Sequence, residues 1–440
     1  MGETTKNMSF RPLKWLRWLT PGLKIKRWIF LGSFSLLLIV TSLILSLESI
    51  PITRTFVKSL SYFIHDISSK IPIQIIALLL FLIGFIALMY SIRGLVKQIV
   101  KPMQIGARRD VVDLLWLERQ VKKRPHVVVV GGGTGQSTVL RGLKYYPINL
   151  TAIVTPFDDG GSSGFIRREL GFLPPGDIRN CLAALSLQED LLGAVLQYRF
   201  KGIPGLEGHP VGNILLAAAT EITGDFLKAI NMVEKIISAR GHVIPSTFFN
   251  TKLCARLKNG SVVEGESNIS KSIYPIENVF LDPEPPSAYP EAIKKINEAD
   301  AIVIGPGSLF TSILPNLLMK DLLDAIKNSK AIKIYVCNIM TQPGETGAFK
   351  ASDHIKAFIN NLGFLPFDII LLNNKKPERL VEYYEQKGSE IVINDTVELE
   401  KFKIKAVYED LLYEENHIRH DHKKLAKILF DNIFKNTRGN

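Results

Sequence analysis

The chain has 440 residues, enough for two or three domains, and its 46% hydrophobic content supports a large core. Its net charge of +12 would suit a nucleic acid-binding protein, but the first 124 residues carry +13 and the other 316 carry −1. An almost neutral main domain has no basic surface for a polyanion, so we do not expect nucleic acid among the partners.

Two apolar segments without charged residues lie in the N-terminal part of the chain, at 28–47 and 71–92. Each is long enough to cross a hydrocarbon core of about 30 Å as a helix. A signal peptide is the competing interpretation of the first segment, but it lacks a clear cleavage site and a second span follows. Buried core helices are the other alternative. Lys and Arg are enriched before the first segment and after the second, which predicts that both ends are cytoplasmic.

The expected protein is therefore a multi-pass membrane protein whose two helices contact lipid and whose C-terminal domain is cytoplasmic. The expected parts are a basic cytoplasmic tail at 1–27, a two-helix transmembrane hairpin at 28–92, a basic helical linker at 93–124 and a nucleotide-binding domain at 125–440.

After residue 125, short apolar strands alternate with helical segments. This order predicts an α/β fold with a doubly wound, mostly parallel, Rossmann-like sheet. Residues 253–257 and 262–266 flank an Asn-Gly turn, which predicts a hairpin in a small β-rich insertion. The expected strands of the main sheet are 127–130, 150–155, 301–304, 332–337 and 367–372.

The first of these strands runs into a glycine-rich turn and then a helix predicted at 137–145. At such a turn, backbone N–H groups approach an anion closely and the helix dipole favours phosphate, so we expect a nucleotide or another phosphorylated ligand. The turn lacks the Gly-Lys-Ser/Thr of a P-loop and has Thr138 at the place of a third fingerprint glycine, so a purely structural turn is the alternative. The predicted contacts are Gly131, Gly132, Gly133, Thr134 and Gly135.

A second glycine turn, Gly305-Pro-Gly-Ser308, follows the strand at 301–304. Two such turns in one sheet predict a divided phosphate or nucleotide site with contacts from Gly305, Gly307 and Ser308. Asn338 and Thr341 follow the next strand and are candidates for base or sugar contacts. A turn that satisfies its own backbone is the alternative there.

Asp158 and Asp159 follow the second strand and are candidate Mg²⁺ ligands, and catalytic residues if the protein is an enzyme. Acids that cap a turn or helix are the alternative. Because neighbouring side chains in an extended loop diverge, we expect only one of the two to reach a ligand.

Two further segments lead from a loop into a helix. In the first, Asp177, Arg179 and Asn180 are candidate ligand contacts, with helix capping as the alternative for Asp177 and a structural ion pair as the equal alternative for Arg179. In the second, Asn213 is a candidate base or sugar contact, and His209 is favoured as a structural histidine over a catalyst.

Six motifs follow one another along the chain, at 131–135, 158–164, 174–180, 208–213, 305–312 and 340–346. Taken in this order, they resemble the gluconeogenesis factor family, also called the YvcK/CofD-like family. One branch is similar to 2-phospholactate transferase, which moves a phospholactyl group from a guanosine diphosphate-linked donor to a deazaflavin hydroxyl. The other resembles bacterial proteins that bind UDP-sugars and govern cell shape and envelope synthesis on gluconeogenic carbon sources.

The chain resembles the second branch more closely, chiefly at 337–346 and at Arg240-Gly241. Phe165 stands where the family usually has an arginine, on the side where an acceptor would bind, which counts against transferase activity. The resemblance therefore implies a membrane-anchored UDP-sugar-binding regulator of cell shape and envelope or carbon metabolism. It implies envelope-synthesis proteins and a second copy of the chain as candidate partners. A phospholactyl transferase-like enzyme, with Mg²⁺ beside the nucleotide diphosphate, is the alternative.

Overall fold

The computed structural model describes residues 26–46, 73–100, 124–284 and 287–437, which belong to two compact units that divide at residue 111. In the first unit, helix α1 (Lys26–Ser46) packs against helix α2 (Ile73–Val100). Helix α2 continues eight residues past the predicted span, into the predicted linker. The basic tail before Lys26, the loop between the helices and linker residues 101–123 lie outside the described residues.

Small and hydroxyl-bearing residues line the contact between α1 and α2. Ser42 Oγ donates a hydrogen bond to the Ala77 carbonyl at 2.7 Å, and Ser91 Oγ donates to the Trp28 carbonyl at 2.6 Å. Large apolar side chains point outward instead, and Phe30 is 76% exposed. By length and composition both helices can cross a membrane, and only 17% of each span is buried in the unit.

The second unit is built on a seven-stranded parallel sheet. The prediction of a doubly wound α/β fold is thus confirmed. The strands are β1 (His126–Gly131), β2 (Asn149–Val154), β3 (His242–Pro245), β7 (Ala301–Ile304), β8 (Ile332–Val336), β9 (Ile369–Asn373) and β10 (Lys405–Glu409). Their order across the sheet is β10-β9-β8-β7-β1-β2-β3.

The two edge strands, β3 and β10, were not predicted from the sequence. Strand β3 has four residues and ends in a proline, and β10 has charged residues at both ends and no buried position. Neither looks like the apolar run that marks a strand covered on both faces.

The predicted hairpin is present and belongs to a separate three-stranded antiparallel sheet. Asn259 Oδ1 accepts a hydrogen bond from the Ser261 backbone N–H in its turn. The strands of this sheet are β4 (Lys252–Leu257), β5 (Val262–Glu264) and β6 (Ile276–Asp282), and a two-stranded ribbon joins β11 (Leu412–Glu414) to β12 (Ile418–His420).

Helices cover the main sheet, and the long connections between parallel strands carry them. They are α3 (Gly133–Leu143), α4 (Gly161–Leu170), α5 (Gly176–Leu185), α6 (Ala194–Gln197), α7 (Val211–Thr223), α8 (Phe226–Ile236), α9 (Glu266–Ile269), α10 (Pro290–Asn297), α11 (Leu314–Leu317), α12 (Lys320–Asn328), α13 (Ala351–Leu362), α14 (Val381–Glu385), α15 (Thr396–Glu400) and α16 (His422–Thr437). Two π-helical turns, Glu189–Gly193 and Leu309–Ile313, precede α6 and α11.

Successive residues of the central strands enter two different cores. Val127 and Val129 of β1 pack into the core on one face, whereas Val128 and Val130 pack into the core on the other. The side chains of a strand alternate between faces, so a strand covered on both faces must be apolar throughout. This explains the continuous valine run that identified β1 in the sequence.

Strand β1 lies between β2 and β7, so the direction in which the chain adds strands reverses there. Val130 pairs with Ile304 of β7, and Gly131 pairs with Val154 of β2. In doubly wound sheets, ligands bind outside the carboxyl ends of the strands at this reversal. The loops after β1, β2 and β7 therefore border the expected crevice.

Candidate functional site

The glycine turn after β1 lies at the N-terminus of α3. This helix begins at Gly133, four residues before its predicted start, so Thr134 and Gly135 belong to its first turn. Gly133 has a φ of +64°, and a Cβ atom there would meet no other atom closer than 3.8 Å. Thr134 is exposed. The first N–H groups of a helix have no intrahelical acceptor, so this end attracts an anion.

The two glycine turns contact each other. A Cβ atom on Gly135 would lie 2.3 Å from the carbonyl oxygen of Pro306, and one on Gly307 would lie 3.4 Å from the carbonyl oxygen of Gly132. Only glycine fits at Gly135 without displacing the other backbone. The two turns thus border one crevice, although about 170 residues separate them in the chain.

Asn338 and Gln342 hold the second turn in place. Asn338 Oδ1 accepts from the Gly307 N–H at 3.2 Å, and Asn338 Nδ2 donates to the Gly307 carbonyl at 2.8 Å. Gln342 Nε2 donates to Ser308 Oγ at 2.7 Å. Asn338, a predicted base or sugar contact, therefore uses its side-chain amide to hold the backbone of the turn in place.

The motif at 340–346 is a support for the same turn. The carboxylate of Glu345 accepts hydrogen bonds from the Phe310 N–H at 3.2 Å and from the Thr311 and Ser270 hydroxyls at 2.9 and 3.2 Å. Burial raises the pKa of Glu345, and these hydrogen bonds oppose the rise. Thr341 Oγ1 accepts from the Glu390 N–H at 2.8 Å and is buried, so it lies away from the crevice.

Asp158 and Asp159 point in different directions. Asp158 Oδ1 accepts from the Gly160 N–H at 3.0 Å, and its second oxygen lies 2.4 Å from the position of a Cβ atom on Gly176 in α5. Asp159 Oδ1 accepts from the Ser267 N–H at 3.0 Å, in the first turn of α9. Asp158 thus lies near Asp177, and Asp159 ties the loop to the insertion.

Asp177 reaches across to the first glycine turn. It lies in the first turn of α5, whose N-cap is Pro175, and its carboxylate accepts from the Gly133 N–H and from the Asn180 side chain. Burial and the charge of Asp158 raise the pKa of Asp177 to about 6. An acid of the protein thus lies beside the N–H groups that would bind a phosphate.

Glu266 adds a third carboxyl to this side of the crevice. Burial, together with the charges of Asp158 and Asp177, raises its pKa to about 9. Among the described residues, no three His, Cys, Asp or Glu side chains lie close enough together to hold a metal ion. Mg²⁺ is typically held by one or two carboxylates and by substrate phosphates, so Asp158 and Asp177 fit that ion only together with a ligand.

Arg179, Asn180 and Asn213 form a buried network beside these acids. Arg179 Nη1 donates to Asn213 Oδ1 at 3.1 Å, and its Nη2 donates to Asn180 Oδ1 at 2.8 Å. Asn213, which is fully buried, donates from Nδ2 to Ser162 Oγ at 3.0 Å. The structural ion pair considered for Arg179 is not formed within the described part of the chain.

Residues 127–412 match the family model described as 2-phospho-L-lactate transferase CofD. A relative from Nostoc sp. is 42% identical over 432 residues, which covers 97% of this chain and 94% of the relative. The gluconeogenesis factor of Bacillus subtilis is 45% identical over 311 residues, which covers 70% of this chain and 98% of that protein. The chain belongs to the gluconeogenesis factor family.

Gluconeogenesis factor relatives differ in length. The match to the Nostoc protein covers so much of the chain that it must run through α1 and α2, whereas the Bacillus subtilis protein is short enough to match the α/β unit alone. A crystal structure of a UPF0052 family protein from Bacillus halodurans has a TM-score of 0.68 and 43% identity, and covers 70% of this chain and 99% of that chain. The α/β unit is therefore the part common to both lengths.

Several residues at this site of the gluconeogenesis factor were not predicted from the sequence. Gln342 and Glu345 lie inside the quoted motif at 340–346, so a signal for them existed. Ser162 lies in the motif at 158–164, but it was not predicted as a site residue. Glu266 follows the hairpin in the insertion, and nothing in the local sequence marks it as a neighbour of Asp158.

Proposed function

We propose that this protein is a UDP-sugar-binding regulator of cell shape and of envelope and carbon metabolism. One observation carries the proposal, namely that the two glycine turns meet where the strand order reverses, beside the N-terminus of α3. Backbone N–H groups and a helix dipole at such a point favour a diphosphate. Envelope-synthesis proteins and a second copy of the chain are the proposed partners.

In this proposal, the turn at 131–135, with Gly305, Gly307 and Ser308, cradles the diphosphate. Arg179 and Asn180 lie on the sugar side. Asn213, Asn338 and Thr341 act indirectly, because their polar groups are used to position Arg179, Gly307 and Glu390.

The direct test is isothermal titration of the full chain in detergent with UDP-N-acetylglucosamine, UDP-glucose and guanosine diphosphate. We expect saturable binding of at least one UDP-sugar and weaker binding of the guanosine nucleotide. The proposal would be lost if none of the three bound.

Binding should depend on pH through Asp177. Its carboxyl is ionised above about pH 6 and protonated below, and the groups that face it are Asp158, Arg179 and Glu266. The diphosphate of a UDP-sugar stays ionised over this range, so affinity should rise as the pH falls from 7.5 to 5.5, because repulsion by Asp177 is removed. Asp177→Asn should flatten this profile in the same titration, and an unchanged slope in the variant would exclude Asp177 as the cause.

A transferase-like function is the second candidate, favoured by the match to the transferase family model and by the carboxyls of Asp158 and Asp177 in the crevice. These two residues would hold Mg²⁺, which neutralises a diphosphate leaving group. Asp158→Asn should then abolish product formation from a guanosine diphosphate-linked donor and a deazaflavin while nucleotide binding is retained. If the unaltered chain consumes neither substrate, the regulatory proposal is favoured.

We also place the protein in the membrane through α1 and α2, with the α/β unit in the cytoplasm. The outward-facing apolar side chains of both helices and the lysines and arginines of the first 124 residues support this. Removing residues 1–100 should move the protein from the membrane pellet to the supernatant after an alkaline carbonate wash. Release of the full chain by the same wash would contradict membrane insertion.

A further inference from the structure

We propose that the N-terminal turns of α4, α5 and α7 form a second anion subsite, which takes a carboxylate or phosphate carried by the part of the ligand beyond the diphosphate. The proposal rests on the proposed nucleotide site and specifies the class of its ligand. The subsite consists of Arg179, Ser162, His209 and Arg199, supported by Asn180 and Asn213.

The three helices meet through their first turns. Ser162 is the second residue of α4, Arg179 the fourth of α5 and Asn213 the third of α7. Asn213 bonds to both Arg179 and Ser162, and Ser162 Oγ lies 2.9 Å from His209 Nδ1. Each helix has at least ten residues, and its N-terminal end favours negative charge.

Arg179 independently indicates an anion-binding site. It is only 6% exposed, and protein acceptors take two of the five N–H donors of its guanidinium. Its Nε is buried, and no described residue accepts a hydrogen bond from it. No carboxylate lies within ion-pair distance of Arg179 in the described residues, although burying an uncompensated charge is unfavourable.

The charges around Arg179 agree with this inference. Burial, and then the neighbouring Arg199, lower its pKa to about 10, while Asp177 and Asp158 act in the opposite direction. Arg199 is exposed, and it donates to the Gly208 carbonyl at 2.7 Å. A bound oxyanion would relieve the repulsion between the two arginines and satisfy the unused donors of Arg179.

The subsite is one layer of side chains away from the diphosphate cradle. The carboxylate of Asp177 accepts from the Gly133 N–H of α3 and from Asn180, and Asn180 Oδ1 accepts from Arg179. A group attached to the distal phosphate can therefore reach Arg179 while the diphosphate stays at α3. A neutral sugar would leave the guanidinium unpaired, so a nucleotide sugar with a carboxylate is the class that fits.

Isothermal titration of the full chain in detergent with UDP, UDP-N-acetylglucosamine and UDP-glucuronic acid tests the inference. Because a hydrogen bond to a charged group contributes about 1.5–3 kcal/mol, the acidic sugar should bind about 10- to 100-fold more tightly than the neutral one. Arg179→Gln should reduce this preference to less than about 3-fold. Arg168→Gln, an exposed arginine on α4, is the matched control and should keep the preference.

Two further measurements keep the inference falsifiable. If Arg179→Gln fails to fold, Arg199→Gln alters an exposed side chain and should lower the preference about 3-fold, since it retains one of the two cations. Titration with inorganic phosphate shows whether a free anion uses the subsite instead.

Each result has a distinct meaning. Equal affinities for the two UDP-sugars in the unaltered chain would overturn the subsite while the proposed function stands. Phosphate binding that Arg179→Gln removes, without any nucleotide binding, would support the subsite and overturn the proposed function. If neither nucleotides nor phosphate bind, both the subsite and the proposed function are overturned.

Discussion

Replacing Gly135 with alanine should separate the two glycine turns and remove most of the affinity for a UDP-sugar. The new Cβ atom would lie 2.3 Å from the carbonyl oxygen of Pro306 and 2.6 Å from its carbonyl carbon. Both are backbone atoms, so no side-chain rotation relieves the clash, and overpacking of this kind costs about 1–3 kcal/mol of stability. Each charge-assisted hydrogen bond lost from the diphosphate weakens binding about 10- to 100-fold.

Titration calorimetry and denaturant unfolding of the Gly135→Ala variant measure the two effects. Gly347→Ala is the matched control, because a Cβ atom there meets nothing within 4 Å. The control should bind and unfold like the unaltered chain. Affinity of Gly135→Ala within about 3-fold of the unaltered chain would show that the contact between the turns is not needed for binding.

Glu345→Ala should lower the free energy of unfolding by about 3 kcal/mol, because each buried polar group left without a partner costs about 1–3 kcal/mol. The change removes the acceptor of the Phe310 N–H and of the Thr311 and Ser270 hydroxyls. The turn Leu309–Ile313, which follows Ser308, then loses its support, so UDP-sugar affinity should fall as well.

Unfolding in denaturant, read by circular dichroism, measures the loss. Glu345→Gln retains one acceptor oxygen and should lie between the alanine variant and the unaltered chain. Glu277→Ala removes an exposed glutamate from β6 and should change stability by less than about 0.5 kcal/mol. A Glu345→Ala variant as stable as the Glu277→Ala control would show that the buried carboxylate does not support the turn.

Local patterns in the sequence were sufficient for the parts of the protein whose structure depends on neighbouring residues. The valine run of β1 must be apolar on both faces, and the Asn-Gly turn requires a hairpin between β4 and β5. The glycine turns at 131–135 and 305–308 could likewise be predicted from their composition. The predicted start of α3 lay four residues too far along the chain. Glycine disfavours the interior of a helix, so the sequence favoured a helix that begins after the glycines.

Only the tertiary structure decided which of these pieces form the site. Strand order places β7 beside β1, and this brings Pro306 against Gly135. Helix α5 brings the Asp177 carboxylate to the N-terminus of α3. Asn213 and Thr341, which the sequence suggested as ligand contacts, instead form hydrogen bonds within the protein. Hydrogen-bond partners and contacts across a sheet depend on distances between residues far apart in the chain, and local composition carries no information about those distances.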